Sequence, residues 1–344
     1  MIFIPASVAF VENLVTLHLS KCDLSGTIPV ALFSLKHLEN LLLDENCIEG
    51  DIHSDIGKLS KLKVLRLDAN SIEGYIPDSI GELSYLQILN LRDNKLSGRI
   101  PETLSKLQKL EMLHLNNNCL TGSIPAALGS LSRLRVLELH TNNLSGSLPQ
   151  SLSSLERLRE FNASQNRLTG SIPQEYGRLS SLICLVLGEN SLVGEIPPTL
   201  CELARLQYLS LRDNKLTGKI PAEFGALTHL RELQLGHNHL SGPIPDALKH
   251  LRNLSILFLD HNVLSGALPA DLHLLHNLEF LHLNNNALTG AIPSLLGESL
   301  TKLKWLNLSS NALTGMAPSS LFRLIHLQGC DLRGNVGLHF SYKK

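Results

Sequence analysis

Histidines in the second half of the sequence have a spacing that would suit metal binding or proton sensing. His237 and His261 are 24 residues apart, and His282 follows further along the chain. Neutral imidazole is a common zinc ligand, and histidine changes its charge between about pH 5 and 8. Since no carboxylate or cysteine completes a recognisable ligand set in the pattern, we interpret these residues as surface histidines and predict no metal site.

Signatures of catalysis are missing from the sequence. It contains no glycine-rich phosphate loop, no HExxH motif, no nucleophile elbow and no kinase signature. The 30 basic and 31 acidic residues leave a net charge of -1, so the basic surface that nucleic acid requires is lacking. The apolar runs are shorter than the roughly 20 residues that cross a bilayer. We therefore predict a non-enzymatic chain without a cofactor, without nucleic acid as partner and without membrane insertion.

A 24-residue repeat organises the sequence. Leucine recurs at this spacing from Leu14 to Leu278, and further units begin at Leu303 and Leu327 after one residue is inserted. Full units fit the template LxxLxLxxNxLxGxIPxxLxxL, and a period of this length is typical of solenoids. The predicted organisation is a partial repeat at 1–13, thirteen repeats of 24–25 residues at 14–326, and a partial fourteenth repeat with a tail at 327–344.

The spacing of residues that recurs in each unit of this sequence predicts the local structure of the unit. The LxL segment alternates like a strand, and stacked units would pair these strands in parallel with leucines inward. An asparagine such as Asn118 suits hydrogen bonds to buried loop backbone. A glycine such as Gly122 suits a positive φ or a close approach, and Pro125 fixes an extended segment after it. We predict an α/β repeat solenoid, a right-handed horseshoe with a concave parallel β-sheet and short 3-10 or extended convex segments.

The LxGxIPxxLxxL half of the unit resembles the plant-type leucine-rich-repeat family, which includes ectodomains of receptor-like kinases, receptor-like proteins and polygalacturonase-inhibitor-like proteins. The resemblance covers nearly the whole sequence. It implies recognition at the cell surface, with a protein, peptide or small ligand on the concave face and a co-receptor as a further partner. The sequence departs from the family pattern because it has no paired-cysteine caps, membrane helix or kinase segment.

The outward positions of the predicted strands decide which ligand binds, because family members share the scaffold. Aromatic residues make up only 4% of the sequence, yet Tyr208, Phe258, Phe280 and Trp305 all fall on this predicted face. Exposed apolar patches often mark binding sites, although such rings can also merely stack across strands. The predicted ligand-binding residues are Tyr208, Glu232, Gln234, Ile256, Phe258, Phe280, His282, Trp305 and Asn307.

The same face of the earlier repeats carries mixed charge instead of rings. Its residues are Asp44, Arg66, Asp68, Arg92, Asp93, His114 and Glu138. Such a surface can steer a polar partner, but solvated mixed charge is also the ordinary surface of a soluble protein. We favour the ordinary surface. The paired arginines that some peptide-binding family members use for a peptide carboxylate do not occur on these predicted strands.

Cysteines and glycosylation sequons favour different compartments. Cys22 and Cys47 are the only cysteines in adjacent repeats, and we expect one to point inward and the other outward. We therefore predict six free thiols, which suit a reducing cytosol at least as well as an oxidising exterior. Sequons that would be glycosylated in a secreted chain begin at Asn143, Asn162, Asn253 and Asn307.

Two functions remain open on the sequence alone. The first is a recognition module at the cell surface or secreted, acting in receptor-like signalling or defence; the repeat class and the sequons favour it. The second is an intracellular adaptor or inhibitor scaffold for a protein partner, favoured because Met1 to Phe10 lacks the features of a signal peptide. Since the pattern begins and ends in mid-repeat, we interpret the chain as a fragment of a longer receptor-like protein.

Overall fold

The computed structural model describes residues 2–340, which fall into two compact units, Met1–Thr169 (unit 1) and Gly170–Lys344 (unit 2). Met1 and residues 341–344, at the outer ends of the predicted partial repeats 1–13 and 327–344, lie outside the described residues. Among the described residues, no helix is long and apolar enough to cross a membrane.

Unit 1 repeats one pattern of a short strand, a second strand and a 3-10 helix. The first strands, called concave strands, are Thr16–His18, Asn40–Leu42, Val64–Arg66, Ile88–Asn90, Met112–His114, Val136–Glu138 and Glu160–Asn162. The second strands are Ser25–Gly26, Cys47–Asp51, Ser71–Glu73, Ser97–Arg99, Cys119–Gly122, Asn143–Ser147 and Arg167–Thr169. The 3-10 helices are Ala6–Phe10, Val30–Ser34, Ser54–Lys58, Asp78–Glu82, Glu102–Lys106, Ala126–Ser130 and Gln150–Ser154.

Unit 2 repeats the same pattern. Its concave strands are Cys184–Val186, Tyr208–Ser210, Glu232–Gln234, Ile256–Phe258, Phe280–His282, Trp305–Asn307 and Gly329–Asp331. Its second strands are Val193–Glu195, Lys215–Thr217, Ser241–Gly242, Val263–Ala267, Ala287–Gly290, Ala312–Met316 and Gly337–His339. Its helices are the 3-10 helices Gln174–Arg178, Pro198–Glu202, Ala222–Ala226, Asp246–His250, Ala270–Leu274 and Ser319–Arg323, and the α-helix Leu296–Ser299.

The concave strands pair in parallel within each unit, in the register that the repeat predicts. In unit 2, Glu232 pairs with Ile256, and Ile256 with Phe280, each 24 residues on. Phe280 then pairs with Trp305, a step of 25. The extra residue falls where the α-helix Leu296–Ser299 replaces a 3-10 helix. Within each unit, these parallel strands and 3-10 helices confirm the predicted repeat solenoid.

Buried leucines and asparagines hold neighbouring repeats together. Leu91, Leu113 and Leu115 are fully buried. Asn118 Oδ1 accepts a hydrogen bond from the backbone N–H of Leu96 at 2.9 Å, and its Nδ2 donates to the carbonyl of Leu91 at 3.0 Å. Its Nδ2 also donates to the carbonyl of Leu115 in its own repeat at 3.2 Å, so one side chain satisfies backbone groups of two repeats that would otherwise be buried without partners. The predicted asparagine ladder is confirmed.

Glycine and proline set the turn from the strands to the helices. Gly98 has a φ of +73°, and a Cβ there would lie 2.4 Å from the Tyr75 ring, so the position requires both a positive φ and close approach. Pro125 has a φ of -62° and a ψ of 125° and directly precedes the 3-10 helix Ala126–Ser130. Both predicted roles are confirmed, and the turns leave the concave strands free to display side chains.

Candidate functional site

Alternation along the concave strands of unit 2 places the predicted ligand-binding residues on one face. Leu209 and Leu257 are buried in the core, so the residues on either side of each point outward. Trp305 is 42% exposed. The half-buried members of the predicted set are Tyr208, Glu232, Gln234, Ile256, Phe258, Phe280, His282 and Asn307. We call this surface the ring face; its role in binding stays a prediction.

Phe258 and His282 form a stacked pair at the centre of the ring face. They lie on adjacent strands with ring centroids 4.3 Å apart and an angle of 14° between the planes. Burial lowers the pKa of His282, while Asp260 raises it by a smaller amount. Its Nε2 is buried, and the described residues offer it no hydrogen-bond partner. The pair therefore presents an apolar surface together with one unsatisfied polar atom.

Phe280 shares a strand with His282 and pairs with Trp305 on the next strand, whereas Tyr208 lies two strands before Phe258. Tyr208 and Phe280 occupy the same column three strands apart, roughly 14 Å at the usual strand spacing. Lys304 Nζ lies 5.9 Å from the centre of the Phe280 ring. Within the part of the chain that the structure describes, the ring stack on this face joins Phe258 to a histidine, and Tyr208 lies apart from the other rings.

Trp305 borders an open cavity of ≈ 640 Å³ at the end of the ring face. A Cβ at Gly329 would lie 2.6 Å from the indole, so glycine makes room for that ring. The cavity wall also includes Asp331 and Arg333, whose carboxylate and guanidinium are 2.8 Å apart. An aromatic wall beside a charged pair gives this cavity both apolar and polar contacts for a ligand.

The amide and carboxylate side chains of the ring face already have local partners. Gln234 Nε2 donates to Glu232 Oε2 at 3.1 Å, and the Ser210 hydroxyl donates to Gln234 Oε1 at 3.4 Å. Asn307 Oδ1 accepts from the Ser309 hydroxyl at 2.7 Å. These bonds fix the side chains in place around the rings.

The predicted glycosylation sites have different surroundings. Asn253 is exposed, whereas Asn143 Oδ1 accepts from Arg167 Nη2 at 2.8 Å. Asn162 and Asn307 lie on concave strands. A glycan on Asn307 would cover the ring face, so the two predictions made for Asn307 are mutually exclusive.

A carboxylate joins two of the histidines, which corrects the sequence interpretation. The His237 and His261 rings are stacked with centroids 4.1 Å apart, and Asp260 Oδ2 is 3.4 Å from His237 Nε2. One nitrogen or oxygen atom from each of these three residues lies within 4.8 Å of the others. The expectation that no carboxylate completes a ligand set is therefore wrong. The set excludes His282, which stacks on Phe258 instead.

The charged residues of unit 1 form a partly buried network. Arg66 Nη2 lies 3.5 Å from Asp44 Oδ2, and Arg66 Nε lies 3.4 Å from Asp68 Oδ1. Arg92 Nε lies 3.5 Å from Asp68 Oδ2. Only 1% of Asp68 is exposed, and burial raises the pKa of its carboxyl group. The interpretation as solvated charge is thus wrong for Asp68 and for Asp44, which is also buried.

Two further members of this surface have strongly shifted pKa values. Burial, with the charges of Arg92 and Arg66, lowers the pKa of His114 to about 4. Burial, with the charge of Glu160, raises the pKa of Glu138 to about 7. Both shifts disfavour the charged form, because partial burial penalises a charge; for Glu138 the hydrogen bond from Asn162 opposes the shift by a smaller amount.

The six cysteines are free thiols. Cys22 and Cys47 are both exposed, so the expectation that one of them points inward is wrong. Their repeat positions lie in the turn after a concave strand and at the start of a second strand, and both positions face solvent.

The sequence matches family models of the leucine-rich repeat along most of its length. A model of the leucine-rich repeat region matches residues 45–172, and models of the leucine-rich repeat match 180–240, 228–288, 13–35 and 302–324. No curated protein sequence matches the chain.

Solved plant receptor structures are similar over almost the entire chain. The plant peptide hormone receptor RGFR1 in complex with RGF2 is 37% identical over 98% of this chain, with a TM-score of 0.94. A TDR receptor is 35% identical over 98%, with a TM-score of 0.92. Arabidopsis HAESA, in complex with the peptide hormone IDA and the co-receptor SERK1, is 32% identical over 99%, with a TM-score of 0.72.

The chain spans 53% of the RGFR1 chain, 61% of the TDR receptor chain and 65% of the HAESA chain. The repeat models together match most of the sequence, and the receptor structures superpose on nearly all of it. The chain therefore belongs to the plant-type leucine-rich-repeat family.

Proposed function

We propose that the chain is the ligand-binding part of a receptor-like protein at the plant cell surface and that it holds a peptide on the ring face of unit 2. The leucine-rich-repeat ectodomain fold is a recognition scaffold, and similar structures contain the peptide ligands RGF2 and IDA. A co-receptor is a further proposed partner, because HAESA is described with SERK1. In this proposal the chain recognises its ligand without catalysing a reaction.

The observation that carries the proposal is the stacked pair of Phe258 and His282. Half-exposed rings offer apolar area that a ligand can bury. A buried ring nitrogen without a partner is costly in the free chain, and a ligand that supplies the missing hydrogen bond would remove this cost. An extended peptide provides both components, since its side chains cover rings while its backbone donates and accepts hydrogen bonds.

The cavity beside Trp305 supplies a second contact for the same peptide. Trp305 is 42% exposed, and it borders an open cavity of ≈ 640 Å³. Tryptophan and tyrosine are frequent hot spots of interfaces because they bury a large area at a small cost in entropy. We therefore place one apolar side chain of the peptide over Phe258 and another against Trp305.

Selection from a phage-displayed random-peptide library tests this site without a known ligand. Peptides selected on the wild-type chain are measured by biolayer interferometry on the double variant Phe258→Ala/Trp305→Ala. We expect the affinity to fall by roughly thirtyfold or more, equivalent to about 2 kcal/mol for hot-spot residues.

The matched control is Tyr85→Ala, which removes a 47% exposed aromatic ring from unit 1. This variant should bind the selected peptides like the wild type. Failure to select any peptide would contradict the proposed function. Peptides that bind the double variant as tightly as the wild type would show that the ring face is not the site.

A further inference from the structure

We propose that His237, His261 and Asp260 form a surface site for a divalent transition metal of the zinc or copper class. This site is separate from the proposed peptide contacts of Phe258 and Trp305, and its test does not depend on them. Two imidazoles and a carboxylate are a common donor set for these ions, and Zn²⁺ sites with three protein ligands leave a position open.

The distances bring the three donors to one point. The stacked rings of His237 and His261 have centroids 4.1 Å apart, on turns that follow adjacent strands. Asp260 Oδ2 is 3.4 Å from His237 Nε2, and one donor atom of each residue lies within 4.8 Å of the other two. Metal bonds of about 2.0–2.2 Å can join donors separated in this way after small side-chain rotations.

Neighbouring side chains orient the donors. Asp213 Oδ1 is 3.8 Å from His237 Nδ1, on the opposite side of the ring from Asp260. A carboxylate at one ring nitrogen favours the tautomer in which the other nitrogen binds a metal. Asn285 Nδ2 lies 3.0 Å from His261 Nε2; with the amide turned so that its oxygen accepts from the Nε2–H, His261 Nδ1 is unprotonated and can bind the ion.

Gly236 creates the space that Asp260 occupies. A Cβ at Gly236 would lie 2.7 Å from Asp260 Oδ1. Because glycine has no side chain, the carboxylate can lean across the neighbouring strand toward His237. The sequence thus combines two histidines, a carboxylate and, in the repeat before that carboxylate, a glycine that leaves room for it.

Substitutions that suit the backbone can remove each donor. His237 and His261 have φ values of 54° and 51°, and Asn117 and Asn285 occupy the same repeat position with a φ of 54°. Asparagine tolerates this left-handed region better than most residues. Asn284 likewise stands at the repeat position of Asp260. The variants His237→Asn, His261→Asn and Asp260→Asn therefore introduce asparagine at repeat positions where other repeats of this chain already have asparagine.

Isothermal titration of the untagged chain with zinc chloride provides the test. We expect one zinc ion per chain and an affinity at least about tenfold weaker in each of the three variants. The control variant His250→Asn/His276→Asn removes two exposed histidines outside the cluster and should keep the wild-type affinity. Circular dichroism verifies that every variant is folded.

Alkylation of the free thiols with iodoacetamide separates this site from binding by cysteine. Zinc binding that survives alkylation and is weakened by the three substitutions supports the proposal. Absence of zinc binding, or an unchanged affinity in the three variants, would overturn it. Binding that alkylation abolishes would overturn it as well, because the thiols would then hold the ion.

Discussion

The concave strands of unit 1 and unit 2 are built from the same repeat, but their outward side chains differ: unit 1 presents a network of charged residues, and unit 2 presents aromatic rings. In unit 1, Asp68 is buried between Arg66 and Arg92. In unit 2, Phe258 and Trp305 point outward; Phe258 is half-buried and Trp305 is exposed. The inward leucines and asparagines are alike in both units. The scaffold and the recognition surface are therefore encoded at separate positions of each repeat.

Asp68 and Asp260 demonstrate this separation at one repeat position. Asp68 is 1% exposed, because the long side chains of Arg66 and Arg92 reach its carboxylate. Asp260 is only half-buried and leans over Gly236 toward His237. Identical residues thus become an internal ion-pair partner in one unit and an available donor in the other, according to the neighbours.

The largest loss of unfolding free energy should follow from changing an asparagine of the shared scaffold, and the loss should be equal in the two units. Asn118 and Asn262 each accept from one backbone N–H at 2.9 Å and donate to neighbouring carbonyls. Replacing either with alanine leaves several buried backbone groups unpaired, so we expect a loss of about 3–5 kcal/mol of unfolding free energy. Urea unfolding followed by circular dichroism measures both variants. A large loss for one and almost none for the other would refute a common scaffold.

An effect of intermediate size should appear in unit 1, as a pH dependence set by Glu138 and His114. Folded Glu138 keeps its proton up to about pH 7, against 4.5 for its ordinary pKa, so its contribution to stability falls as pH rises between these values. Folded His114 resists protonation down to about pH 4, against 6.5, so its contribution is lost as pH falls through that range. Between about pH 4.5 and 6.5 the two slopes oppose each other in the wild type.

Two substitutions separate these slopes. Glu138→Gln should make the chain more stable as pH rises from about 4 to 6.5, because the opposing contribution of Glu138 is removed while that of His114 stays. His114→Gln should make it less stable as pH rises from about 4.5 to 7. Each slope amounts to roughly 3 kcal/mol across its range. Urea unfolding at several pH values measures both, and wild-type slopes in both variants would contradict the assigned burial.

Much of the fold could be predicted from the sequence because each repeat position has one physical task. The leucine spacing predicts the parallel register, and the one-residue insertion before Leu303 predicts the longer step between Phe280 and Trp305. Asn118 illustrates a ladder that is implied by an asparagine in every turn. Such inferences succeed because a buried position tolerates few side chains.

The candidate sites could be predicted only in part, since they depend on how long side chains cross between strands. The outward placement of Phe258 and Trp305 follows from alternation, but the stacking of Phe258 on His282 does not. The approach of Asp260 to His237 depends on the absent side chain at Gly236. A search of positions in adjacent repeats for a glycine beside a carboxylate and a histidine pair would have found this cluster.

The smallest expected effect is a change in peptide affinity when arginines of unit 1 are replaced, and it tests directly whether the charged surface of unit 1 takes part in recognition. Arg66→Gln/Arg92→Gln removes the two arginine charges of the unit 1 network and leaves the ring face unchanged. If recognition belongs to unit 2, peptides selected on the wild-type chain should bind this variant within about twofold, since distant charges act mainly on the association rate. Biolayer interferometry at moderate salt makes the measurement beside Phe258→Ala/Trp305→Ala. An equal loss in both variants would mean that the peptide contacts both surfaces, and the division between a charged and a recognising unit would fail.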